Sequence, residues 1–183
     1  MILRRVGVIA ILTLAAIALH ELGHYLVYTA GGYPVVVTLQ SVHPAGAVPR
    51  DLDDWAKAAG PAVSVAAAAL FLWVCRARQA FAWVTAAFTN ATLRLFPLTM
   101  DIVRAVRQKP PFSDEGEVAL AWLGQGGGRL GGLGAMAVLC LALTVLVARE
   151  YRFSGRPVLK AIAVYAVSLA VGIGVVLVDE LSR

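Results

Sequence analysis

Two imidazoles and a carboxylate, in the run His20-Glu21-Leu22-Gly23-His24, stand inside an apolar stretch that continues through Leu26, Val27 and Tyr28. On a helix, residues i and i+4 share one face a turn apart. Both rings can therefore reach one Zn²⁺, and Glu21 can touch a water beside that ion. The chemistry predicted is metal-assisted hydrolysis, with His20 and His24 as ligands and Glu21 as general base. The alternative is two core histidines packed against other helices, but ionisable groups in membrane segments are costly and usually functional.

A catalytic zinc site takes three protein ligands and leaves a fourth position open, so the chain must supply another ligand far from His20. Asp101 is the better candidate, because it follows Pro97 at the end of an apolar segment and would need a partner if buried. His43, in Val42-His43-Pro44, is the second, and it lies in a loop. A solvated carboxylate after a helix end is the competing reading of Asp101.

The elements that must position these residues are membrane helices. Of the 183 residues, 60% are hydrophobic and only 15% charged, with a mean hydropathy of +0.77, a balance rare in soluble domains. The fold class predicted is an all-α polytopic membrane protein with about five transmembrane helices and a short membrane-associated strand or hairpin after the first. The spans are drawn at about 6–29, 58–75, 79–98, 130–148 and 159–178, each near the length a bilayer crossing requires. Arg4 and Arg5 before an apolar run imitate a cleavable signal peptide; the run continues past the motif and further spans follow, so an uncleaved first span is expected.

Gly31, Gly32 and Pro34 end the first helix, and the β-branched run Val35 to Gln40 reads as a strand, half of a hairpin returning near Ala47-Val48. Pro49 to Lys57 reads as a polar surface loop in which Asp53 or Asp54 caps the next helix. That helix opens with Ala58-Ala59-Gly60-Pro61 and is alanine-rich, which suits close packing. Asn90 and Arg94 lie in the third span and must face protein or water. Residues 106–129 form a polar, then glycine-rich loop, with a short interfacial helix at 118–123. The stretch Gln125 to Gly134 holds six glycines in ten residues; without a Gly-Lys-Ser/Thr ending it is a hinge or a packing start, not a phosphate loop. Residues 130–183 carry the last two spans, and no soluble domain is expected.

The net charge is +5 and the pI about 9.6, but the basic residues sit at the ends of apolar runs, where headgroups lie, so nucleic acid is discounted as a partner. Cys75 and Cys140 are far apart in apolar segments and read as core residues. Arg4, Arg5, Arg76, Arg78, Arg149, Arg152, Arg156 and Lys160 on one side barely outnumber the basic residues on the other, a slight bias toward a cytoplasmic N-terminus.

With its motifs in this order, the chain resembles the site-2 protease family of intramembrane zinc metalloproteases. The likeness rests on His-Glu-Leu-Gly-His in the first span, Ala59-Gly60-Pro61 opening the second, and Phe96-Pro97-Leu98-Thr99-Met100-Asp101 closing the third, within residues 1–105. The resemblance implies one Zn²⁺ per chain on His20, His24 and Asp101, with Glu21 catalytic. It implies that the segment 34–48 pairs with an extended substrate, making Val36 and Thr38 substrate-binding residues. Ile102 stands where the family has Gly, and Arg94 where it has Asn; Asn90, one turn earlier, is the candidate for the substrate-orienting role.

The activity implied is hydrolysis of a peptide bond in or near a transmembrane helix of a membrane-protein substrate. That substrate would be delivered after an earlier cut or by a regulatory membrane partner. The implied setting is a prokaryotic plasma membrane, with the site toward the cytosol. The rival readings are a non-catalytic relative serving as a binding or assembly subunit, motivated by Ile102 and Arg94, and a metal transporter, which would need more polar positions along several spans. Retention of Glu21 argues against a scaffold, since a structural metal needs no general base.

Overall fold

A computed structural model describes residues 2–38, 41–78, 80–150 and 157–181. Leu39 and Gln40, at the end of the expected strand, and Arg152 and Arg156 of the charge comparison lie outside these. The described residues are mostly helical, with one two-stranded sheet among them. Helix α1 (Ile2–Ala30) ends where Gly32 takes φ +82° and the Tyr33 N–H reaches back to the Tyr28 carbonyl at 3.0 Å, a glycine-dependent C-cap.

Strands β1 (Val35–Val37) and β2 (Val42–Pro44) form an antiparallel hairpin in which Val37 faces Val42 and Val36 faces His43. Bonds from Thr38 N to the Ser41 carbonyl and from Ala45 N to the Pro34 carbonyl, each 2.9 Å, flank the pairing. Because bonded and non-bonded pairs alternate, Val37 and Val42 form a non-bonded pair, and the Val42 N–H points away from β1.

Helix α2 (Arg50–Arg78) follows, then α3 (Phe81–Thr92), α4 (Leu95–Val106), α5 (Asp114–Leu123), α6 (Gly127–Glu150) and α7 (Pro157–Leu181). Residues 50–57 are the opening turns of α2 and not a loop; Asp53 sits within it, accepting from Tyr28 Oη and Lys57 Nζ, each at 2.6 Å. The interfacial helix begins earlier than residue 118, and the glycine-rich stretch opens α6, where Gly132 lets α6 approach the Leu123 side chain.

Among the described residues, four helices are long and apolar enough to cross a membrane: Leu3–Ala30, Arg50–Arg78, Gly127–Glu150 and Ala161–Val178. The fifth expected span, 79–98, is two short helices broken at Leu93-Arg94. Pro97 has no N–H to return to the Leu93 carbonyl, and Arg94 places a guanidinium at the break, so one helix ends at Thr92 and the next starts at Leu95. Most of α3 is buried, so it serves as a core helix.

Helix α1 packs on α2, α3 and α7, and α2 on α3 and α5. Ile9, Leu72, Val84, Phe88, Leu143 and Val147 form one core cluster; Leu98, Ala105, Leu133 and Cys140 form another. Both cysteines are free and buried. Thr13, Ser64, Thr85, Asn90 and Ser168 are buried, while Ile11, Leu70, Val138, Ile162 and Ile173 are exposed. Polar groups inside and apolar groups outside suit a lipid solvent. Thr13 Oγ1 donates to the Ile9 carbonyl at 2.9 Å and bonds Ser168 Oγ at 3.1 Å, joining α1 to α7.

Candidate metal centre

The crossing of α1 and α2 builds the site. A Cβ on Gly23 would lie 2.6 Å from the Ala59 carbonyl oxygen, and one on Gly60 would lie 2.7 Å from His20 Cε1 and 2.6 Å from His24 Cε1. Only glycine at both positions lets the backbones approach and leaves room for the two rings, which meet edge to face at 82°, against α2. The Ala59-Gly60-Pro61 motif therefore has a steric role: it is the floor beneath the histidines.

His20 and His24 are buried, with their Nε2 atoms 3.1 Å apart. His24 Nδ1 lies 2.8 Å from the Ala56 carbonyl. A carbonyl only accepts, so Nδ1 carries the proton and Nε2 the lone pair. His20 Nδ1 lies 3.2 Å from Ser64 Oγ, and its Nε2 lies 3.1 Å from Arg94 Nη1. A guanidinium only donates, so His20 Nε2 also presents a lone pair. Two ring nitrogens 3.1 Å apart with facing lone pairs would be satisfied by a proton or a metal cation between them.

The third atom at this point belongs to Asp114, the first residue of α5, whose Oδ2 lies 3.4 Å from each Nε2. A tetrahedral ion about 2.0–2.2 Å from nitrogen and oxygen ligands separates them by about 3.3–3.5 Å. The triangle of 3.1, 3.4 and 3.4 Å fits such an ion. The residues that fit a metal are thus His20, His24 and Asp114, with Nδ1 partners of the kind that orient metal-bound imidazoles.

Asp101, the ligand expected from the sequence, is engaged by a different set of partners. It is fully buried and accepts from Phe112 N at 2.7 Å, Ser113 N at 3.1 Å and Ser113 Oγ, with Arg129 Nη2 at 3.7 Å. No hydrogen bond or ion pair among the described residues joins it to either histidine. It holds the turn that presents Asp114, and a Cβ on Gly116 would strike its carboxylate. The clue to Asp114 in the sequence was Asp114, Glu115 and Glu117 opening a short helix after Pro110-Pro111, an excess of carboxylates without adjacent cations.

Glu21 lies with His20 and His24, their ligand atoms all within 4.8 Å of one another. Its Oε2 accepts the Val42 N–H at 2.9 Å, tying the outward edge of β2 to the site. The hairpin thus meets the centre through β2. Val36 pairs with His43, and Thr38 closes the turn against Ser41; neither lines the cavity at the centre. Asn90 is buried in α3, its Nδ2 donating to its own helix at the Ala86 carbonyl, 2.9 Å away. It too is absent from the cavity, and the substrate-orienting role is not supported by its position. His43 is exposed on β2.

That cavity, of about 520 Å³, is bounded by His20 and Glu21 of α1, Arg94, Phe96 and Pro97 at the α3–α4 break, Phe112 to Asp114, and Gly172 and Ile173 of α7. It is apolar with convergent polar groups at one wall, the usual character of a ligand site.

The chain matches no family model, no curated protein and no solved structure.

Proposed function

We propose that this chain is an intramembrane zinc metalloendopeptidase, hydrolysing a peptide bond in or near a transmembrane helix of a membrane-protein substrate. The observation that carries the reading is the convergence of His20 Nε2, His24 Nε2 and Asp114 Oδ2 beside Glu21, in a chain with four long apolar helices. Zinc bound there supplies Lewis acidity, which lowers the pKa of water and polarises a carbonyl. His24 and His20 are held in register by Ala56 and Ser64. Glu21 accepts the proton of the attacking water and returns it to the departing amine.

The substrate helix must unwind first, because its carbonyls are tied up in i to i−4 bonds. The outward edge of β2, next to Glu21, offers the Val42 and Pro44 carbonyls to the unwound segment, the Val42 N–H being held by Glu21. The proposed setting, a prokaryotic plasma membrane with the site toward the cytosol, rests on the resemblance of the motifs.

A second reading, a non-catalytic binding or assembly subunit, draws on Arg94, whose Nη1 donates to His20 Nε2. Reconstitution in vesicles with a single-span reporter separates the two. Wild-type protein should cut the reporter, and Glu21→Gln should retain zinc but lose cleavage. Cleavage surviving in Glu21→Gln would refute the proposed role of Glu21, and a zinc-loaded wild type inert toward a panel of reporters would favour the second reading.

A further inference from the structure

Arg94 stands at the break between α3 and α4 as the N-cap of α4, and its side chain is largely buried in the wall of the site cavity. Its Nη1 lies 3.1 Å from His20 Nε2 and 3.4 Å from Glu115 Oε1. Glu115 is itself held, its Oε2 accepting from Ser113 Oγ at 2.7 Å. The guanidinium is therefore fixed on one side by a buried carboxylate, and on the other it points at the ring nitrogen assigned to the metal.

Once a cation takes the His20 lone pair, Arg94 loses that acceptor while Glu115 keeps the guanidinium in place. A guanidinium beside a divalent ion is unfavourable at rest, and Glu115 offsets its charge. The arrangement becomes favourable when negative charge develops next to both. Glu21 adjoins the same two histidines, so the cavity wall combines a proton acceptor with a fixed cationic donor.

We propose that Arg94 is a catalytic residue that stabilises the oxyanion, a role resting on the metallopeptidase reading above. Water oxygen adds to the carbonyl carbon, the C=O π pair moves onto the carbonyl oxygen, and the water proton passes to Glu21. The Arg94 N–H donates to that oxyanion. When the pair returns to carbon the C–N bond breaks, and the proton on Glu21 goes to the leaving amine. Preorganised donors of this kind act most strongly where water is excluded and the donor need not reorganise.

The test uses inorganic phosphate as a tetrahedral oxyanion probe, so no substrate is needed. Full-length protein is loaded with Co²⁺, and phosphate is titrated while the visible cobalt absorption is followed. Arg94→Gln is combined with Glu115→Gln, so that no buried charge is left unpaired, and Arg94→Lys is run beside it. At equal cobalt content, the double variant should bind phosphate about 10- to 100-fold more weakly, the range set by a charge-assisted hydrogen bond, and Arg94→Lys should fall between it and wild type. Phosphate affinity within twofold of wild type in the double variant would overturn the role of Arg94 and leave the metal site standing. A wild type that takes up no cobalt would overturn both.

Discussion

Replacing Asp101 by Asn separates a metal ligand from a residue that positions one. The Asp101 carboxylate accepts two backbone N–H groups, from Phe112 and Ser113, and pairs with Arg129. Asn keeps one acceptor oxygen and turns an NH₂ donor toward a group that also donates. One peptide N–H is then left unsatisfied at a cost of about 1–3 kcal/mol. Arg129, itself 1% exposed, loses its counter-ion, and breaking a buried pair costs about 3–5 kcal/mol. The two overlap at one carboxylate, so the expected loss of stability is about 3–5 kcal/mol in total.

The effect of Asp101→Asn on zinc should be smaller and indirect. Asp114 stays in the chain but on a looser turn, and groups that orient ligands without touching the metal typically change affinity about 10- to 100-fold. Competitive chelator titration in detergent, alongside thermal unfolding, measures both quantities. Zinc affinity within twofold of wild type would refute the claim that Asp101 holds the Asp114 turn. Loss as complete as that caused by removing Asp114 would restore Asp101 as a ligand.

Gly60→Ala should abolish zinc binding while the chain still folds, because its methyl would displace both imidazoles; the expected destabilisation is about 1–3 kcal/mol, read by thermal unfolding beside metal content, and retained zinc would contradict the close approach of α2. Val42→Pro removes the N–H that Glu21 Oε2 accepts, so kcat/KM on a reporter should fall about tenfold or more with zinc unchanged; unaltered kcat/KM would mean that the β2 contact does not position the base. Cys75 and Cys140 are buried and should resist a maleimide in the folded protein but react on denaturation, as mass spectrometry would show; rapid labelling of folded protein would contradict the packing of α2 and α6.

What the sequence made legible follows from the range of the interactions. The His20–His24 pair is local to one helix, so spacing alone places both rings on one face. The end of α1 at Gly31-Gly32 and a hairpin after it are local too, although the return strand is Val42–Pro44 and not near Ala47-Val48, and the small residues Ala58 to Pro61 lie inside α2, which opens at Arg50. Which carboxylate meets the histidines depends on how α4 and α5 pack: Asp101 follows Pro97 in an apolar segment and Asp114 follows Pro110-Pro111 in a polar one, and neither setting alone reveals which of them is turned toward His20 and His24. The hydrogen bonds do: Asp101 is spent on the turn, and Asp114 is delivered by it. The supposed third span failed for a related reason. Apolar content over 79–98 satisfies a length criterion, but the backbone breaks at Leu93-Arg94, where Pro97 cannot close the ladder and Arg94 turns toward the histidines. Asn90 was singled out for lying one turn before Arg94, yet it faces the buried side of α3. The edge of the hairpin that faces Glu21 was likewise invisible, because it depends on the alternation of bonded pairs set by the turn at Thr38 and Ser41.

Zinc stoichiometry of the purified chain tests the central claim most directly, with wild type and Asp114→Ala measured in parallel by elemental analysis. About one zinc per chain in the wild type, lost in Asp114→Ala although the variant remains folded, is the predicted result. A full complement of zinc in Asp114→Ala, or none in the wild type after zinc reconstitution, would contradict it.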